Sequence, residues 1–240
     1  MNNNNSFEME EFTRSGLSMS TAFPALMRKV YVWMTLALAI TGITAYGVAT
    51  SPALLSLIFA SKATFFGLII AEFVLVFAIS GAINRLSLST ATLLFVLYSV
   101  VNGATLSSIF LMFSMTTIGK VFFITAGTFA VMAFVGYTTK TDLTSMGKLL
   151  FMALIGLIIA TVVNMFMKSA GFDLILSYIG VLIFVGLTAY DTQKIKHLLQ
   201  LAPDAGEHMQ KMALLGALTL YLDFVNLFLY LLRIFGNNKE

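Results

Sequence analysis

The sequence predicts an all-α integral membrane protein with seven transmembrane helices, on three observations. Hydrophobic residues fill 59% of the 240 positions and charged residues only 10%, whereas about a quarter of an ordinary soluble domain is charged. The apolar residues fall in runs of around 20, the length that crosses a hydrocarbon core about 30 Å thick. No run contains a proline: Pro24, Pro52 and Pro203 fall at or outside the ends, where a helix tolerates the missing backbone donor.

Taken in order, residues 1–22 are polar, with Asn2 to Asn5 followed by Glu8, Glu10 and Glu11. They lack the basic start, apolar core and small-residue cleavage site of a secretory signal, and are expected to form a retained, disordered tail. Residues 23–240 form one seven-helix transmembrane domain. Pro24 opens a helical approach, and Arg28 and Lys29 ahead of Tyr31 and Trp33 mark a membrane interface. The spans are expected at 30–49, 63–83, 90–113, 121–137, 148–167, 174–194 and 212–235.

The apolar segment 53–59 is too short to cross and is expected to lie in the interface. The link 138–147, with Lys140 and Asp142, is short and polar, so the mechanism must reside in the bundle or its short loops. Ala78 with Ala82, and Ala126 with Ala130, have the four-residue spacing that lets membrane helices approach closely. Asn102 and Asn164 lie well inside the third and fifth spans, where hydrogen bonding between helices is expected.

Composition also excludes function classes. The chain has no Cys, which removes disulfides and thiolate metal sites. His197 and His208 sit in or beside a polar turn without zinc spacing. The net charge of +3, from 14 basic and 11 acidic residues, is spread singly at the ends of apolar runs. That pattern serves topology and lipid headgroups rather than nucleic acid. No glycine-rich phosphate loop follows a strand, so no nucleotide or other organic cofactor is expected.

Arg14, Arg28, Lys29, Arg85, Lys140, Lys148, Lys194, Lys196 and Lys211 fall on the side of the N-terminus, against Lys62, Lys120, Lys168, Arg233 and Lys239 opposite. The positive-inside rule then places the N-terminus in the cytoplasm and the C-terminus outside.

The most informative stretch is the last helical hairpin, 181–235, which carries an aspartate in each of two apolar runs. IFVGLTAYDTQ ends near Asp191, and ALTLYLDFVNLFLY has Asp223 near its middle. A carboxylate at membrane depth is costly and is retained for a task. The helix breakers Pro203 and Gly206 lie between them, and Glu207 is the midpoint of 191 and 223. Each aspartate is therefore roughly 20 Å along its arm from a shared turn, and the two can face each other.

Thr219, Asp223, Asn226, Tyr230 and Arg233 follow at steps of four, three, four and three, which is one helix face. Thr188 and Lys194 flank Asp191 at three residues on either side. The plainer alternative is that these groups hydrogen-bond the helices together. Glu72 is a third acid at membrane depth, and Arg85 does not share its helical face.

GLTAYDTQKIK at 186–196, LTLYLDFVNLFLYLL at 218–232 and GYTTKTDL at 136–143, set in seven spans without a soluble domain, resemble the Bax inhibitor-1/YccA family. It is also called the transmembrane Bax inhibitor motif family, and the likeness is to its bacterial members. The resemblance covers essentially everything after the polar tail. It implies a central seventh helix surrounded by the other six, in a bacterial cytoplasmic (inner) membrane. It also implies a paired-aspartate pH sensor in a calcium leak pathway rather than an enzyme, with the family's aspartates matching Asp191 and Asp223. In some members an acid on the second span and a nearby arginine form a latch. Glu72 and Arg85 are the available counterparts, at a spacing that departs from that pattern, and the turn between the aspartates is longer than in the shortest bacterial relatives.

The chemistry agrees with this. Two carboxylates held close in a low-dielectric site cannot both ionise cheaply, so they are expected to share a proton that ties their helices together. Loss of that proton parts the helices and exposes oxygens. Asp191 and Asp223, with Asn226 and Thr219, would offer Ca²⁺ a weak, transient site, and weakness suits conduction. Two other classes compete: a proton-coupled transporter, and a non-conducting regulator of membrane quality control or cell death with a membrane protease or another membrane protein as partner. An intramembrane aspartyl protease is remote, because Leu220, Tyr221 and Leu222 precede Asp223 where that class carries glycines.

Overall fold

The computed structural model describes the backbone of residues 3–236 and the side chains of 22–236. The described residues form α1 (Asn3–Ala49), α2 (Pro52–Phe59), α3 (Lys62–Ala82), α4 (Leu88–Leu106), α5 (Ile109–Met112), α6 (Met115–Thr138), α7 (Thr144–Met167), α8 (Ala170–Gln200) and α9 (Glu207–Phe235). Among the described residues, seven helical stretches are long and apolar enough to cross a membrane: Ala22–Ala49 within α1, α3, Leu88–Met112 across α4 and α5, and α6 to α9. Each corresponds to one expected span. Outward-facing positions are strongly apolar, with Phe166 84%, Phe123 75% and Ile43 73% exposed, a surface that only lipid can cover without cost.

Serines start several of these helices. Ser51, Ser87, Ser114 and Ser169 have extended backbone, and their hydroxyls accept from the amides of Leu54, Thr90, Thr117 and Phe172, which satisfies donors that the first turn leaves open. Pro52 at the start of α2 has no donor to lose. At the end of α7, Lys168 takes a left-handed conformation (φ 51°) that stops the helix before α8.

Three expectations need correction. The backbone from Asn3 is helical and continuous with the first span, where an irregular tail was expected, because extending an existing helix is far easier than starting one. Pro24 consequently lies inside α1; the single bond it removes falls at the interface, where water can reach the freed carbonyl. The third span breaks near its end: the Ser107 hydroxyl donates to the Ala104 carbonyl at 2.6 Å and that of Ser108 to Thr105 at 3.1 Å, and α5 follows as a separate turn. Lys239 and the side chain of Arg14, both counted for orientation, lie outside the described residues.

The bundle is organised on α9. Two thirds of its membrane window (67%) is buried, against 6% for α3 and for α7. Helix α9 packs on α8, α1, α6 and α4, whereas α3 leans mainly on α4 and α7 mainly on α8. The encirclement by six helices that the resemblance implies is therefore uneven, with four helices against α9 and two in an outer row. Glycine permits the closest approaches. At Gly136 of α6 a β-carbon would collide with the backbone of Ala189 on α8, and at Gly180 it would lie 2.7 Å from the Tyr230 ring.

Candidate functional site

One end of the α8–α9 hairpin is fastened by polar contacts. Asp204 Oδ1 accepts from the Gly206 amide (2.8 Å) within the turn, and Glu207 Oε1 accepts from the Leu88 amide (3.0 Å) at the start of α4. Lys211 Nζ donates to the Leu86 carbonyl (2.9 Å), and Lys29 Nζ to Gln210 Oε1 (2.7 Å). These bonds fix the register of α9 against α1, the α3–α4 link and its own turn, and that register sets the depth of Asp223.

Asp191 on α8 and Asp223 on α9 face each other within hydrogen-bonding reach. Ionised carboxylates are acceptors only, so the contact requires a proton between them. Asp223 is 5% exposed, and its Oδ2 is buried with no donor among the described residues unless Asp191 carries that proton. Asp191 is half-buried and opens onto a cavity of about 730 Å³ that both aspartates line.

Thr219, Asn226 and Tyr230 line the same cavity, as their helical spacing requires. The Thr219 hydroxyl donates back to Leu215 O (3.1 Å) and Asn226 Nδ2 to Leu222 O (2.8 Å), so both amphiphilic side chains are held against their own helix. The Tyr230 ring stacks on Phe184 at 5.9 Å. Arg233 lies over the Tyr230 ring at 5.5 Å, and its Nη1 is 3.5 Å from Asp173 Oδ1 near the far end of the hairpin.

Lys148 and Lys194 line the cavity together with Tyr190, and Lys194 Nζ lies 5.8 Å over the Tyr190 ring. Of these, sequence reasoning missed Lys148 and Tyr190. Gly147 is the readable trace of the second, since a β-carbon there would run into the Tyr190 ring.

Four predicted residues do not line the cavity: Arg233, near the far end of the hairpin, and Thr188, Glu72 and Arg85. Thr188 is fully buried and donates to the Phe184 carbonyl at 2.7 Å, so it pairs with its own helix and does not line the cavity. A hydroxyl three residues from Asp191 shares its general side of α8, but the i−4 carbonyl is nearer than the opening. The Glu72–Arg85 latch is also absent among the described residues. Arg85 is exposed beyond the end of α3, about 20 Å along the axis from Glu72 and forming no ion pair with it.

Glu72 belongs to a different constellation. Asn102 Nδ2 donates to Glu72 Oε2 (3.1 Å), and Asn102 Oδ1 accepts from the Tyr221 hydroxyl (2.8 Å). The Thr41 hydroxyl lies 2.7 Å from that of Tyr221 and 3.0 Å from the Ser99 carbonyl, and shares its one proton between them. This chain joins α3, α4, α9 and α1. Asn102 thus bonds between helices as its position predicts. Asn164 does not: its Oδ1 accepts from the Ser169 amide (3.2 Å) across the α7–α8 turn.

Among the described residues no group of three or more acidic or histidine side chains is gathered as a metal cage. A cation at this site would draw on two carboxylates and neutral oxygens.

Comparison with known proteins gives a consistent result. The family described as inhibitor of apoptosis-promoting Bax1 matches residues 24–240. The inner membrane protein YbhL of Escherichia coli strain K12 is 46% identical over 234 residues, 96% of this chain and 100% of that protein. An uncharacterized protein of Borreliella burgdorferi is 47% identical over 89% of the chain and 92% of its own length. One of Deinococcus radiodurans is 39% identical over 89% and 90%.

Proposed function

The chain belongs to the Bax inhibitor family of integral multi-pass membrane proteins, and from that premise we propose that it is a proton-gated leak for Ca²⁺, with Asp191 and Asp223 as both gate and ligands. The observation that carries the reading is the carboxyl pair itself: two acids at membrane depth, on helices joined by a short turn, in a contact that needs a proton. Likeness to the Escherichia coli inner membrane protein supports a bacterial inner membrane as its location, and the basic residues favour a cytoplasmic N-terminus.

While the proton is shared, α8 and α9 are held together across the pair. When it leaves, two like charges remain in a medium that screens them poorly, and their repulsion favours separation. The freed carboxylates, with the oxygens of Thr219 and Asn226, then present a hard, flexible ligand set of the kind Ca²⁺ accepts. Only two charges hold the ion, so it can also leave.

The test is Ca²⁺ entry into liposomes holding the purified chain, followed from mildly acidic to mildly alkaline pH. Wild-type flux should rise as the pair loses its proton. Asp191→Asn and Asp223→Asn, which imitate the neutral pair, should give low flux that no longer follows pH. Wild-type flux in both variants at every pH would end the proposal.

The cavity favours one rival. At about 730 Å³, with five aromatic rings and the two ammonium groups of Lys148 and Lys194, it has the size and lining of a small-molecule site. A proton-coupled transporter of an organic solute would use the same aspartates. It would show saturable, proton-driven uptake in those liposomes where a leak shows none.

A further inference from the structure

A second opening lies between α1 and α6. Both helices pack on α9 but not tightly on each other. The cleft left between them has a volume of about 560 Å³. Its walls are apolar, including Met34 and Leu38 from α1, Phe129 and Phe134 from α6, and its floor is Phe224 of α9, the neighbour of Asp223. Ala126 and Ala130 line it too. Their spacing predicts close helix packing, yet the space beside them is empty of protein.

We propose that this cleft takes one acyl chain of an anionic phospholipid, whose headgroup is met by Arg28 and Lys196. Apolar walls offer water too few partners to fill it, and the opening faces the bilayer, so hydrocarbon is the occupant that the medium supplies. One end is marked by cations and aromatic rings. The cleft runs through Tyr31 and Thr35 into a shallower hollow lined by exposed Arg28. Tyr137 lines the same end, stacked on Phe23 at 6.4 Å, and Lys196 Nζ lies 5.3 Å over the Tyr137 ring and donates to its carbonyl at 2.7 Å.

Such rings and cations are the signature of the headgroup level, and two positive charges there select a negative headgroup. The dimension agrees as well. On α6 the lining runs fifteen residues from Phe122 to Tyr137, about 22 Å, close to the length of one extended acyl chain. The cleft is about one acyl chain deep. A lipid seated there touches the ring next to Asp223, and this holds whichever solute uses the carboxylate pair.

The experiment uses the full chain in phosphatidylcholine nanodiscs containing a small fraction of phosphatidylglycerol with a photoreactive acyl chain, and maps the adducts by mass spectrometry. Adducts should concentrate on Phe129, Ala130 and Phe134 over lipid-facing Ile159 and Phe166 of α7. The same photoreactive group on phosphatidylcholine should label the cleft less. Arg28→Gln and Lys196→Gln should each reduce the preference for phosphatidylglycerol by about fivefold.

Ala130→Trp fills the cleft from an exposed position and should abolish the concentration of label. Ala126→Met does the same should the tryptophan variant not fold. Equal labelling of α6 and α7, no preference between the two lipids, or a link across the cleft between two copies of the chain would each overturn the proposal.

Discussion

Helix α9 carries two buried polar groups on opposite sides, two residues apart. Tyr221 points to α1 and α4, where its hydroxyl, Asn102 and Thr41 find partners at 2.7 to 3.1 Å. Asp223 points to α8, where it meets another acid and lacks a donor unless a proton is supplied. Both sides are deep in the bundle, and both join helices. The difference is that Tyr221, Asn102 and Thr41 are paired by protein groups, with Glu72 Oε1 at the edge of the network left without a donor among the described residues, whereas the Asp191–Asp223 pair itself needs a proton to close. A network paired by protein donors favours one structure; on the proposed gating, an acid pair short of a proton would respond to proton supply.

The comparison is most exposed to a pair of leucine substitutions. Asn102→Leu takes partners from Tyr221 and Glu72 together and should lower stability by about 2–3 kcal/mol. Asp223→Leu removes a buried acid that costs desolvation, and should leave stability unchanged or raised while abolishing any pH response of flux. Thermal unfolding in detergent, read beside flux, separates the two. Equal destabilisation would mean that both sides are structural.

A smaller effect is expected from Tyr221→Phe, which removes one hydroxyl from the network around Asn102. It should cost about 1 kcal/mol, with the pH profile of flux unaltered. A shifted profile would show that the two sides of α9 communicate.

The smallest effects are expected outside the buried layers. The Arg233–Asp173 pair is 3.5 Å apart, with both side chains more than two fifths exposed, so Arg233→Gln should change stability by less than about 1 kcal/mol, and less in salt. In the exposed α6–α7 link, the Thr144 hydroxyl and amide hold the Asp142 carboxyl below the usual carboxylate range. A lowered value means that any contribution of Asp142 is present at neutral pH and is lost only on strong acidification. Asp142→Asn should therefore leave the pH profile of flux near neutrality unchanged.

Much of this was legible in the sequence. Apolar runs gave the spans to within eight residues at each end, because in lipid length alone demands a helix. The facing of Asp191 and Asp223 followed from their equal distance to a common turn, and the cavity-lining face of α9 followed from the helical period. Tyr221 was legible too: two residues is about 200° of helix, which puts it on the far side from Asp223. It was missed because a tyrosine among leucines reads as core.

What did not follow was side-chain choice. Thr188 and Asn164 had local backbone groups closer than any partner on another helix. Nor did sequence show that Ala126 and Ala130 would border a gap, since small residues permit close packing without compelling it.

The contact of Gly136 with the backbone at Ala189 sits two residues before Asp191. It leaves α8 no slack against α6 at that level. Were the carboxyl groups to repel each other as the proposed gate requires, α8 could not slide backwards and would turn about this point as a lever turns on its fulcrum. The short arm would carry Asp191 and the long arm would reach back to Ala170, so a small shift beside the acids becomes a larger one at the opposite face of the membrane.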